Sequence, residues 1–346
     1  MTSVSSRPVV RLTSPGDIVA AVPSLCGFLP AESLVVLSLR GPRRRLGLTV
    51  RVDLPPPEPP AHRPPGPVLE LLDALAERLR ADGATASALI VFSAHPRPGL
   101  VQAYLEAAAA CGTTVDEALH VDDGRWTSYT CTGPCCPPDG SPVTGPPELL
   151  AAEAALDGRS VLGSRSDLVA ALAAPEGRLA ALSTARLEAA GASWLAERQA
   201  AGTGAARRAA VQRATVLLDR VEHGEAPSDD AAAGLAVALH DVAVRDEVAT
   251  WVLDRSDALL SLAEQAARRT APPADAPVCT LLAWVAYARG DGARANVALD
   301  RALSTDPEYS LAVLLRRALD SGVTPREVRR TLASTRRAIR SGRPRR

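Results

Sequence analysis

The chain has 346 residues, 47% of them hydrophobic and 23% charged, with a formal net charge of zero. That length and balance suit two globular domains, each with its own core, and exclude an acidic tail or a disordered polyelectrolyte. All 39 basic residues are arginine and none is lysine, which excludes Schiff-base catalysis and a phosphate-loop lysine.

Taken in chain order, Val9–Leu12 predicts a short strand, followed by a helix start at Ser14-Pro15-Gly16-Asp17. Ser is the N-cap there, Pro occupies the first helical position, and Asp lies at the positive end of the dipole. The helix stops by Gly27. Ser33–Leu39 and Arg45–Leu54 read as strands separated by the turn Gly41-Pro42. In the second, Leu46, Leu48, Val50, Val52 and Leu54 share one face, and Thr49, Arg51 and Asp53 the other. A proline-rich connector, Pro55–Pro67, leads to a helix (Val68–Ala81), a strand (Ala88–Ser93), a helix (Gly99–Cys111) and a strand (Val115–Val121). Asp122-Asp123-Gly124 turns the chain into a hairpin partner, Arg125–Thr130. Pro147 opens a further helix, and Ser166 caps another that ends before Pro175.

From Arg178 the strand signal disappears. A long Ala/Arg/Leu helical stretch runs to His223, weakened at Gly191 and Gly202–Gly204. Helices follow at Asp229–His240, Val244–Leu253, Ser256–Thr270, Pro277–Arg289, Gly292–Ser304, Tyr309–Asp320 and Pro325–Arg340. Residues Ala283, Trp284, Tyr287, Gly290, Ala295, Leu299, Ala302 and Pro307 have the spacing of one tetratricopeptide-like helix pair. The expected fold is an α/β domain over 8–175, a mixed sheet with covering helices, followed by an all-α domain over 176–346 containing that hairpin.

Three places carry chemical potential. Cys131, Cys135 and Cys136 lie within six residues in a proline-stiffened loop, and zinc is the metal such thiols suit. His120 or Cys111 would be a fourth ligand, and Arg125 would lower a thiolate pKa for redox work. The spacing departs from the usual Cys-x2-Cys knuckle, so small thiols that merely shape the loop remain the alternative. Asp53, His95 and Asp122/Asp123 fall near strand carboxyl ends, with Arg125 close by. There they would line a crevice with His95 as acid or base, although Asp and His beside Gly or Pro are also ordinary turn residues.

The third place is the helix bearing Arg326, Arg329, Arg330, Arg336, Arg337 and Arg340, followed by Arg343, Arg345 and Arg346, with an apolar stripe of Val328, Leu332 and Ile339. Nucleic acid is the lesser reading here, because the segment has no aromatic to stack on bases. Without an apolar run of about 18 residues, no membrane span is expected. Neither is a secretory signal, so a cytoplasmic protein with reduced thiols follows.

Leu12–Asp17, Val22–Val36 and Arg51–Pro55, with Gly124–Tyr129, Cys131, Cys135–Pro137, Leu281–Trp284 and Gly290–Ala302, resemble an actinobacterial family of unknown function numbered 4192. The resemblance implies a cytoplasmic protein and brings no activity. Cys26 stands where that family's pattern leads us to expect a small or apolar residue, which argues against it as a ligand. The favoured reading is a non-enzymatic interaction or regulatory protein that docks a protein partner through its helical half. The alternative is an enzyme or metal-binding protein built on the Cys131/Cys135/Cys136 loop and the Asp53/His95 crevice.

Overall fold

The computed structural model of the chain describes residues 11–56, 63–145 and 161–341. Contacts divide it into two compact units, one ending at Arg165 and the other beginning at Ser166. The helix expected from Pro147 lies outside the described residues, as do much of the Pro55–Pro67 connector and Arg343, Arg345 and Arg346. Of the strand expected at Val9–Leu12, only Arg11 and Leu12 are described, and neither belongs to a strand.

The first unit is a mixed six-stranded sheet. Its strands are β1 (Ser33–Arg40), β2 (Arg45–Asp53), β3 (Ala84–Phe92), β4 (Thr114–Asp122), β5 (Arg125–Ser128) and β6 (Ser141–Pro142), in the order β2-β1-β3-β4-β5-β6. Only β3 and β4 pair in parallel, and the other neighbours are antiparallel. The parallel pair needs a crossover, and α3 (Pro98–Ala110) supplies it. Leu34, Val36, Leu89, Val91 and Ala118 bury one face under α2 (Gly66–Ala81) and α3, against Leu72, Leu75, Leu79, Leu100 and Tyr104. Val35, Leu37, Ile90 and Leu119 alternate to the opposite face and are equally buried. Burial on both faces explains why Leu34–Leu37 of β1 and Ala88–Phe92 of β3 read as unbroken apolar runs.

Helix α1 (Pro15–Cys26) begins with a capping box: Asp17 N donates to the Ser14 hydroxyl, and the Asp17 carboxylate accepts from Ser14 N. Gly27, left-handed at φ 77°, ends it where expected. Strand β3 starts at Ala84, four residues before the predicted Ala88. Alanines alternating with Thr85 and Ser87 weaken the aliphatic signal there, but Ala84, Ala86 and Ser87 are buried all the same. Strand β6, two residues long, has no sequence signature and pairs with β5.

The described part of the second unit is helical. It comprises α4 (Arg165–Ala171), α5 (Gly177–Ala201), α6 (Thr203–Glu222), α7 (Asp229–Ala238), α8 (Val242–Ala249), a 3-10 turn (Thr250–Leu253), α9 (Ser256–Arg269), α10 (Ala276–Ala288), α11 (Gly292–Thr305), α12 (Ser310–Asp320) and α13 (Pro325–Arg340). Ser166 lies inside the first turn of α4, not ahead of it as its cap. Gly191 does not interrupt α5, because a lone glycine costs a helix only about 1 kcal/mol. The break falls at Gly202, whose φ of 81° a side chain would resist. Arg301 of α11 organises this unit: it pairs with the fully buried Asp275 and donates to the carbonyls of Leu172, Ala267 and Thr270.

Candidate metal centre

Strands β4 and β5 form a tight hairpin whose turn residues Asp123 (φ 42°) and Gly124 (φ 70°) are both left-handed, as a two-residue turn with right-handed strand twist requires. The chain then leaves β5 and returns as β6. Residues 129–140 are thus an excursion tied down at both ends. Ser128 accepts from Thr130 N and Cys131 N, and the Cys136 amide donates to Gly133 O at 2.9 Å. Arg125 closes the far side, donating to Asp139 O at 2.8 Å and Gly140 O at 2.5 Å. Gly140 is also left-handed, and a Cβ there would stand 3.0 Å from Trp126 O.

This frame gathers three thiols. The sulfurs of Cys131, Cys135 and Cys136 all lie within 4.8 Å of one another, and Cys131 and Cys135 are 3.6 Å apart. Cys135 is exposed and the other two half-exposed, and all three are free. Gly133 sits beneath the pair, with both sulfurs 3.7 Å from the place a Cβ would take. The cluster is electrostatically unequal. A hydrogen bond from the Gly133 backbone, aided by Cys136 and Cys135, draws Cys131 below the usual thiol range, against the nearby negative charge of Glu117. Burial pushes Cys136 up to about 12, reinforced by its hydrogen bonds to the other two thiols and by their charge.

The other cysteines are packing residues. Burial pushes Cys26 up to about 11 and Cys279 up to about 12, while Cys111 is half-buried against the α2/α3 core.

His120 is not part of the three-thiol group. Its ring is buried, its Nε2 lies 2.8 Å from Ser93 O, and it meets the ring of Tyr129 at 6.0 Å. Asp53 is exposed and paired with Arg51 at 2.6 Å, and His95 is exposed, with its carbonyl accepting from Ser93. Among the described residues, no hydrogen bond or ion pair joins Asp53, His95 and Arg125. The strand ends are instead tied by residues to which the sequence reading gives no role. Tyr129 accepts from Arg97 N at 2.8 Å, Glu32 accepts from Ala94 N at 3.1 Å, and Arg97 approaches Glu32 at 3.7 Å. Ser128 and Gly133 lie in the cysteine-bearing stretch, but the sequence reading assigns neither a role. The Ser-x-x-Cys spacing, in which a hydroxyl captures the amide three residues on, was the available signal.

These features define an α/β unit that presents a three-thiol loop, together with an all-helical unit. The chain belongs to the family described as a domain of unknown function, DUF4192, whose model matches residues 15–326. No curated protein and no solved structure matches it. No helix among the described residues is long and apolar enough to cross a membrane.

Proposed function

We propose that this is a metal-binding protein whose Cys131, Cys135 and Cys136 hold a thiophilic divalent cation, zinc by preference. The carrying observation is the convergence of three free sulfurs within 4.8 Å on a loop braced at both ends. A tetrahedral site with zinc–sulfur bonds of about 2.3 Å has sulfur–sulfur edges of about 3.8 Å. The 3.6 Å separation of Cys131 and Cys135 is close to that edge. Three ionised thiolates at this spacing repel one another, and a divalent cation removes the conflict that divides Cys131 from Cys136.

Three protein ligands leave the fourth vertex to water or an incoming ligand, the arrangement that lets zinc act as a Lewis acid. Free thiols throughout accord with a cytoplasmic location.

Cobalt(II) reports this site directly. The apo-protein should show a thiolate-to-cobalt charge-transfer band on titration, and zinc should abolish it. Cys131→Ser and Cys135→Ser should each weaken cobalt binding at least about tenfold, while Cys279→Ser leaves it unchanged. Absence of the band, or its survival in Cys131→Ser, would refute the assignment.

A docking role for the helical unit is the second reading. It is supported by a groove of about 600 Å³ lined by Arg208, Val211, Gln212, Thr215, Val216 and Val244. Burial of Ala283, Ala295, Leu299 and Ala302 between consecutive helices suits the tetratricopeptide-like pattern. A partner held there should be lost with Val216→Asp and kept with Cys131→Ser; the reverse result would count against this reading.

A further inference from the structure

Helix α13 carries two different sets of arginines. Val328 and Leu332 are buried, which fixes the docked side of the helix. On that side Arg329 reaches the carbonyls of Val252 and Leu253, and Arg336 pairs with Asp254. Arg326, Arg330, Arg337 and Arg340 behave otherwise. All four are exposed; none is within ion-pair distance of a carboxylate among the described residues, and Arg330 acts on Glu327 only through its longer-range charge. At 100° per residue they fall within about 80° of arc, and at 1.5 Å per residue they form a stripe about 21 Å long.

The zero net charge of the chain conceals this polarity. Residues 321–346 hold nine arginines and one acid, a formal +8, and the other 320 residues carry the balancing −8.

We propose that this stripe is a docking surface for the phosphate backbone of a nucleic-acid duplex, read without regard to sequence. Three features choose that occupant. Over about 21 Å a duplex presents about twelve phosphate charges, a dense match for a straight row of guanidinium groups. Ala333 is the residue that falls within the arginine arc, and the helix has no aromatic, so it lacks the ring platform on which single-stranded bases stack. An anionic membrane would attract the same charge, but α13 has no exposed large apolar side chain to anchor in it, since Val328 and Leu332 are buried.

The full-length protein should bind a mixed-sequence 20-base-pair duplex with micromolar affinity at low salt. Four phosphate contacts contribute about 3.6 to the slope of log K against log salt, a loss of about 150-fold between 50 and 200 mM. Replacing Arg326, Arg330, Arg337 and Arg340 together by Gln should lower the slope by about that amount, and replacing them by Lys should largely keep it. Circular dichroism melts of both variants verify that α13 remains folded, since none of the four side chains is buried. DNA and RNA duplexes run side by side distinguish the two sources of the same backbone chemistry. The proposal is overturned if no duplex binds at 50 mM salt, if the Gln variant keeps the slope, if a single strand binds better, or if anionic phosphatidylserine vesicles bind and duplexes do not.

Discussion

Asp82 shows how one buried carboxylate settles a local fold. It is the C-cap of α2, its side chain is 5% exposed, and its oxygens accept from the Ser38 hydroxyl, the Leu48 amide and the Arg40 guanidinium. Gly47 makes this possible, because a Cβ there would lie 2.5 Å from the Asp82 carboxylate and 2.8 Å from the Ser38 hydroxyl. Asp82→Ala strands a buried hydroxyl and an amide at once, and should cost about 2 kcal/mol in urea unfolding. Gly47→Ala should destabilise through the same knot by crowding it. The thiol loop obeys similar logic. Ser128, Gly133 and Arg125 bring the sulfurs together, and none of the three would be a ligand.

At the helix ends, α1 and α13 were legible because capping boxes are local. Ser14 with Asp17, and Thr324 with Glu327, satisfy orphan amides using residues only three apart. Hydrogen bonds from the Thr324 amide and hydroxyl hold Glu327 below the usual carboxylate range. A carboxylate depressed in the folded state stabilises above its unfolded pKa, and that contribution is lost as pH falls through the folded value. Wild type should therefore melt higher than Glu327→Gln at neutral pH, and the gap should close in acid. A gap that persists at pH 2 would contradict this.

Helix α11 depends instead on a distant partner. Arg301→Met leaves Asp275 buried without its cation and should cost about 3 kcal/mol or more. That pairing spans 26 residues, and nothing in the local pattern announces it. The same distinction explains the element ends that the local pattern does not set. Strand β3 extends to Ala84 because its neighbours bury small residues, Ser166 falls within α4, and β6 exists only because β5 offers a partner.

Taken together, the alternation of strands and helices in the first half and the helical pattern from Arg178 onward suffice to read a mixed sheet and a helical region, while contacts divide the chain at Arg165/Ser166. What they cannot supply is which polar residues meet. His120 is close to the thiols in sequence, yet its ring is buried and hydrogen-bonded to the Ser93 carbonyl. Asp53, His95 and Arg125 share a region of the sheet but are each engaged separately. The three cysteines are the set that both the sequence and the fold bring together. Native mass spectrometry of the protein purified from its own host tests the central claim most directly. One zinc per chain is expected, removed by chelator and absent from a Cys131→Ser/Cys135→Ser/Cys136→Ser variant that still melts cooperatively. A metal-free wild type that takes up no zinc at micromolar concentration, or a triple variant that retains its zinc, would contradict it.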